Sequence, residues 1–168
     1  MKAVLTIMSI CALTEALIAL PAPAQQLTAD RESVLRGEVK SAFDQYTEWF
    51  SAGRPDLIAQ RSYRVPVLFL RPMGLEVDST AEAVKIRFER TLQALGADGY
   101  GRSQVSNLHV TAFSEHAASV SGRFIRYRKD QSVIAEFGAT FVYAKTTEGW
   151  QIVSMISHDP AKAFELSK

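Results

Sequence analysis

Apolar and polar positions alternate along four runs in the last third of the chain, at 102–113, 117–128, 132–146 and 149–158. The breaks between them, Ser114 to His116, Lys129 to Ser132 and Thr147 to Gly149, carry turn residues. Consecutive antiparallel hairpins produce this pattern. In the third run Val133, Ala135, Phe137, Ala139, Phe141 and Tyr143 share one face, and Ile134, Val142 and Ala144 make much of the other apolar too. Both faces are therefore expected to be covered, the inner one by helices and the outer one by a second copy of the chain in a homodimer.

The front half has a different period. Val34, Leu35, Val39, Ala42, Phe43, Tyr46, Trp49 and Phe50 recur at helical spacing and place one broad stripe against a core. Gly53 closes this first helix, and Pro55 opens a short second one through Leu57 and Ile58 that Pro66 ends. Val67 to Leu70 reads as a strand, and Pro72, Gly74 and Asp78 mark a turn region. Ser79 or Thr80, with Glu82, starts a third helix carrying Ala83, Val84, Ile86, Phe88, Leu92 and Leu95, and Gly96, Gly99 and Gly101 terminate it. Helices followed by a twisted meander predict an α+β fold in which the sheet curves around a space large enough for a ligand.

A length of 168 residues with 47% hydrophobic and 22% charged content fits one globular domain. Residues 1–24 read as a signal peptide, with Lys2 before an apolar stretch from Ala3 to Leu20 and a small-x-small site at Ala22-Pro23-Ala24. The single domain is then 25–168, exported to a periplasmic or secreted location and off the membrane after cleavage. Lys2 and Glu15 cancel, so cleavage leaves the net charge of +1 unchanged. Cys11 lies inside the leader, so the mature domain relies on its core without disulfides. Scattered basic residues exclude a nucleic-acid footprint, and Arg123, Arg126, Arg128 and Lys129 are read as a solvated strand end.

The stretch Tyr46-Thr47-Glu48-Trp49-Phe50-Ser51-Ala52-Gly53, followed by Pro55-Asp56-Leu57-Ile58, resembles the first-helix signature of the nuclear-transport-factor-2-like (NTF2-like, SnoaL-like) superfamily. Gly149-Trp150-Gln151-Ile152-Val153-Ser154-Met155 is similar to that superfamily's last strand. The resemblance implies a cone-shaped α+β barrel, three N-terminal helices packed on a curved, mainly antiparallel sheet. Enzymes and pure binding modules share this fold, so it does not convert into a function. Locally the chain resembles the ketosteroid-isomerase branch, which implies that Tyr46 donates a hydrogen bond to a ligand oxygen. That branch carries an aspartate base where Arg71 stands here, and a guanidinium cannot take a proton from carbon at neutral pH.

The reading that follows is a cavity between the first helix and the sheet that binds a small, mainly apolar molecule. Tyr46 holds a ligand oxygen, Arg71 fixes its polarity through a fork of donors, and Trp49, Tyr63 and Met155 form the walls. The alternative is a dehydratase, cyclase or isomerase in which His158, Asp159 or Glu136 moves a proton in the same cavity. A third is a protein-interaction module whose cavity is filled by its own side chains. Three histidines at 109, 116 and 158, with no cysteine in the mature chain, offer no metal-ligand spacing, and no glycine-rich phosphate loop precedes a helix, so neither metal nor cofactor is expected.

Overall fold

The computed structural model describes residues 26–162. The leader at 1–24 lies outside the described residues. Helix α1, Ala29–Ser51, begins where the Thr28 hydroxyl accepts a hydrogen bond from the Arg31 amide, with Asp30 and Glu32 in the first turn where the helix dipole favours negative charge. Leu35, Val39, Phe43, Tyr46 and Phe50 are its buried face, spaced so that one stripe looks at the sheet. Gly53 stops the chain with φ +64°, a conformation that costs a residue with a Cβ.

A short helix α2, Pro55–Leu57, runs into a π-helical turn, Ile58–Ser62. Strand β1 then spans Tyr63–Arg71, starting before Pro66 where the sequence reading placed helix. Its register against the last strand slips between Tyr63 and Leu68, a span containing Pro66, which has no N–H for the ladder. The segment read as a turn region is a hairpin. Pro72 and Met73 make the turn, Gly74 has φ +130°, and strand β2, Gly74–Asp78, pairs back on β1.

Helix α3, Ala81–Ala97, starts at Thr80, whose hydroxyl accepts from the Ala83 amide. Gly96 lies inside this helix, and Gly99, at φ +74°, follows its end. Four strands complete the chain: β3 Tyr100–Ala112, β4 Ala117–Arg128, β5 Val133–Thr146 and β6 Gly149–His158, each within a few residues of its expected bounds. The sheet order is β2-β1-β6-β5-β4-β3, with β1 and β6 parallel and the other neighbours antiparallel.

Irregularities in register bend the sheet. β3 carries an extra residue between Ser106 and His109, where Asn107 has φ +50°, β5 carries one opposite Arg126 and Tyr127, and β6 one opposite Val142 and Tyr143. Each such bulge adds twist and curvature. The concave face holds Val120, Phe124, Phe141, Tyr143 and Ile152, and α1 and α3 lie across it. Phe43, Tyr46 and Phe50 of α1 meet Tyr63, Phe88, Phe124 and Phe141 at centroid distances of 5.5 to 6.3 Å, tilted or edge-on as ring quadrupoles prefer.

Charged clamps fix the helices to the sheet. Arg31 of α1 makes a forked contact with Glu115 in the β3–β4 turn. Glu38 accepts from the Lys145 ammonium at 2.6 Å and from the Trp150 indole at 2.9 Å, joining α1 to β5 and β6. Arg87 of α3 holds Asp78 of β2 in a bidentate pair at 2.6 and 2.8 Å and stacks 4.2 Å above Phe69.

Lys145, followed by Trp150, holds the Glu38 carboxyl below its usual range, and Arg31 does the same for Glu115. A carboxylate whose folded value is depressed contributes stability that is present above the unfolded value and lost as pH falls through the folded one. The stability of the protein, followed by urea denaturation, should therefore decline below about pH 4. Glu38→Gln should show a shallower decline than the wild type across that window; parallel curves would remove Glu38 from the acid response.

Candidate functional site

The C-terminal half of α1 does not lie flush on the sheet. Between them is a cavity of about 180 Å³ lined by Tyr46, Thr47, Phe50 and Ser51 of α1 and by Ser103, Val105, Phe124, Arg126, Phe137, Phe141 and Met155 of the sheet. Ser51 is exposed, Thr47, Ser103, Arg126 and Met155 are half-buried, and Tyr46, Phe124 and Phe141 are buried, so the lining grades from a polar mouth to an aromatic floor. Such a shape, apolar with a few placed polar groups, suits a small organic molecule.

Tyr46 is at the centre of the aromatic cluster and also on the cavity wall. Its hydroxyl faces the buried Tyr63 hydroxyl, the two acting on one another as hydrogen-bonding neighbours. Burial pushes the Tyr46 phenol up to about 12, with the Tyr63 hydroxyl and the Arg126 charge opposing it. At neutral pH the group is a protonated donor.

Arg126 comes inward from β4. In the β4 alternation Val120, Gly122, Phe124 and Arg126 share a parity, and opposite them on β5 stand Phe141, Ala139, Phe137 and Ala135. The guanidinium carbon sits 5.4 Å from the Phe50 ring centroid and 4.9 Å from that of Phe137. This overturns the reading of Arg126 as part of a solvated strand end. Its neighbours do fit that reading: Arg123 pairs with Glu136 on the outer face, and Arg128 donates to the Val133 carbonyl.

The other residues singled out from sequence fall in several places. Met155 lines the cavity together with Tyr46. Tyr63 packs behind Tyr46 at 6.0 Å and is 3% exposed, a core ring and not a wall of the opening. Trp49 faces a separate surface groove with Glu38, Arg61 and Trp150, on the flank of α1 it shares with Glu38, Ala42 and Gln45. Arg71 is at the end of β1, outside the cavity, 3.8 Å from Glu76 and beside Arg87 and Arg90.

None of the proton-transfer candidates reaches the cavity. His158 folds over Gly138 on the outer face, where a Cβ on that glycine would collide with the ring. Its Nδ1 donates to the Asp159 carbonyl at 2.8 Å, which leaves Nε2 to accept from the Thr140 hydroxyl at 3.0 Å. Asp159 caps the following turn through the Ala161 amide, and Glu136 is in its outer-face pair with Arg123. The cavity lining among the described residues contains no carboxylate and no imidazole. Among the described residues no three His, Cys, Asp or Glu side chains converge as a metal site would require.

Comparison with known proteins agrees with this architecture. The family model described as NTF2-like protein (DUF6841) matches residues 37–160, which include the cavity-lining part of α1 and all six strands. An NTF2-like protein with a cystatin-like fold from Novosphingobium aromaticivorans superposes with a TM-score of 0.62 at 16% identity, covering 80% of this chain and 86% of that one. An NTF2-like protein of unknown function from Pseudomonas putida gives 0.62 at 14% identity, covering 80% and 91%. One from Shewanella oneidensis gives 0.59 at 15%, covering 73% and 98%. At these identities the likeness is one of fold. No curated protein matches the sequence. The chain belongs to the NTF2-like protein (DUF6841) family.

Proposed function

We propose that the domain binds a small, mainly apolar molecule in the cavity between α1 and the sheet, and that Tyr46 donates a hydrogen bond to an oxygen of that molecule. The observation that carries this is an aromatic hollow of about 180 Å³ with a neutral phenol on its wall that faces the Tyr63 hydroxyl behind it. A module with a self-filled cavity would not leave that space. A proton-transfer enzyme would need a carboxylate or imidazole among the lining residues, and the side chains proposed for that role are on the outer face or beyond the last strand. Export through the leader at 1–24 is part of the same proposal and rests on the sequence of that segment.

A neutral probe small enough for the hollow, benzamide, tests the reading. Tyr46→Phe should weaken benzamide binding about tenfold by calorimetry, the loss of roughly one hydrogen bond, while the melting temperature changes little. Unchanged affinity would remove Tyr46 from the site, and no binding to the wild type would defeat the cavity reading.

We propose further that two copies pair through the outer face. Leu68, Leu70, Leu75 and Val77 are 39 to 62% exposed there and stand in direct cross-strand pairs, Leu68 with Val77 and Leu70 with Leu75, next to Ile156. Such a contiguous patch is costly to leave in water. Sedimentation should give a dimer for the wild type and a monomer for Leu70→Lys combined with Leu75→Lys; a monomeric wild type would refute the pairing.

A further inference from the structure

Arg126 is a half-buried cation without a counter-charge. Among the described residues it has no hydrogen bond and no ion pair, and its contacts are the faces of Phe50 and Phe137. Arg87, another cation shielded from solvent, shows what a paired guanidinium looks like here, held between Asp78 and Glu76. Burial draws the Arg126 pKa down from its ordinary value, and the nearby Arg71 charge works in the same direction. Arginine nevertheless stays protonated in proteins, so the charge persists and its solvation is left to whatever enters the cavity. Leaving a buried charge unpaired is expensive, and an opposite charge arriving from outside removes that cost.

We propose that Arg126 is the anion receptor of the cavity, and that the ligand is a monoanion, a carboxylate or sulfonate carried on a small aromatic or apolar body. The inference rests on the cavity reading above and narrows it to a ligand class. The planar fork of Arg126 is free to take two oxygens of such a group, with the Ser103 hydroxyl on the same lining. The body then lies against Phe124, Phe141 and Met155, with Tyr46 available for a second oxygen. Arg71 adds positive potential from the end of β1 without touching the ligand, so it steers and does not bind. No acid among the described lining residues repels an anion.

Benzoate and benzamide have nearly the same shape and differ in charge, which makes the pair a direct test by calorimetry on the exported domain at neutral pH. The wild type should bind benzoate at least tenfold more tightly than benzamide, and added salt should weaken benzoate alone. Arg126→Gln should lose most of the preference, its affinity for benzoate falling further than that for benzamide, and Arg126→Lys should retain part of it. Equal binding of the two probes by the wild type would overturn the anion receptor and leave the cavity reading standing. Binding of neither would overturn both. Should Arg126→Gln fail to fold, the wild-type ratio and its salt dependence decide the question without it.

Discussion

A straight helix laid across a curved sheet cannot touch it everywhere, and the rest of this structure follows from where contact is made. Helix α1 has 23 residues, roughly 34 Å at 1.5 Å per residue. Its first half is seated: Leu35 and Val39 are fully buried, and Arg31 is clamped to the β3–β4 turn. The bulge at Asn107 turns β3 midway along this line, and beyond it the residues 103–105 and 124–126 fall away from Tyr46, Thr47, Phe50 and Ser51. Large rings on both surfaces keep the separation from closing. Phe43, Tyr46 and Phe50 meet Phe124 and Phe88 edge-on and Phe141 at a tilt, orientations that ring quadrupoles favour.

The polar groups around that separation are arranged differently from those elsewhere in the fold. On the outside, charges come in pairs: Arg123 with Glu136, Arg54 with Asp56, and Lys40 with Asp44. These are exposed pairs of small energetic consequence. Among the described residues the cavity lining holds one guanidinium with no ionic partner and one phenol that faces the Tyr63 hydroxyl, in a setting where water is partly excluded and each interaction is stronger than at the surface. The Ser121, Thr140 and His158 chain is the opposite case, a satisfied network on the outer face that ends the last strand. A histidine used up in that way does not need a catalytic explanation.

Much of this was legible in the sequence, and the failures have physical reasons. The four long strands and the two long helices were marked by period, cap and turn, because each buries one face continuously. Strand β2 was missed since Leu75 and Val77 alternate toward solvent, although Pro72-Met73-Gly74 between two apolar pairs is the form of a tight hairpin turn. Tyr46 and Met155 both fall on the cavity lining, one from the buried stripe of α1 and the other from its pairing with Phe141 on the inward face of the sheet. Arg71 and Trp49 were misplaced for want of a third dimension: one is beyond the last inward position of β1, Phe69, and the other is on the flank of α1 turned to a different groove. Arg126 carried a usable signal, its even spacing from Val120, Gly122 and Phe124, but three neighbouring cations made it look solvated.

The most direct test of the central idea follows the two methionine methyls that remain after residue 25. Met155 lines the hollow and Met73 is 100% exposed at the β1–β2 turn. In a titration of the domain with benzamide, followed by carbon-13 NMR of labelled methionine methyls, Met155 should show a saturable shift while Met73 stays unmoved. A Met155 signal that stays in place at saturating probe, or one that moves only in step with Met73, would contradict it.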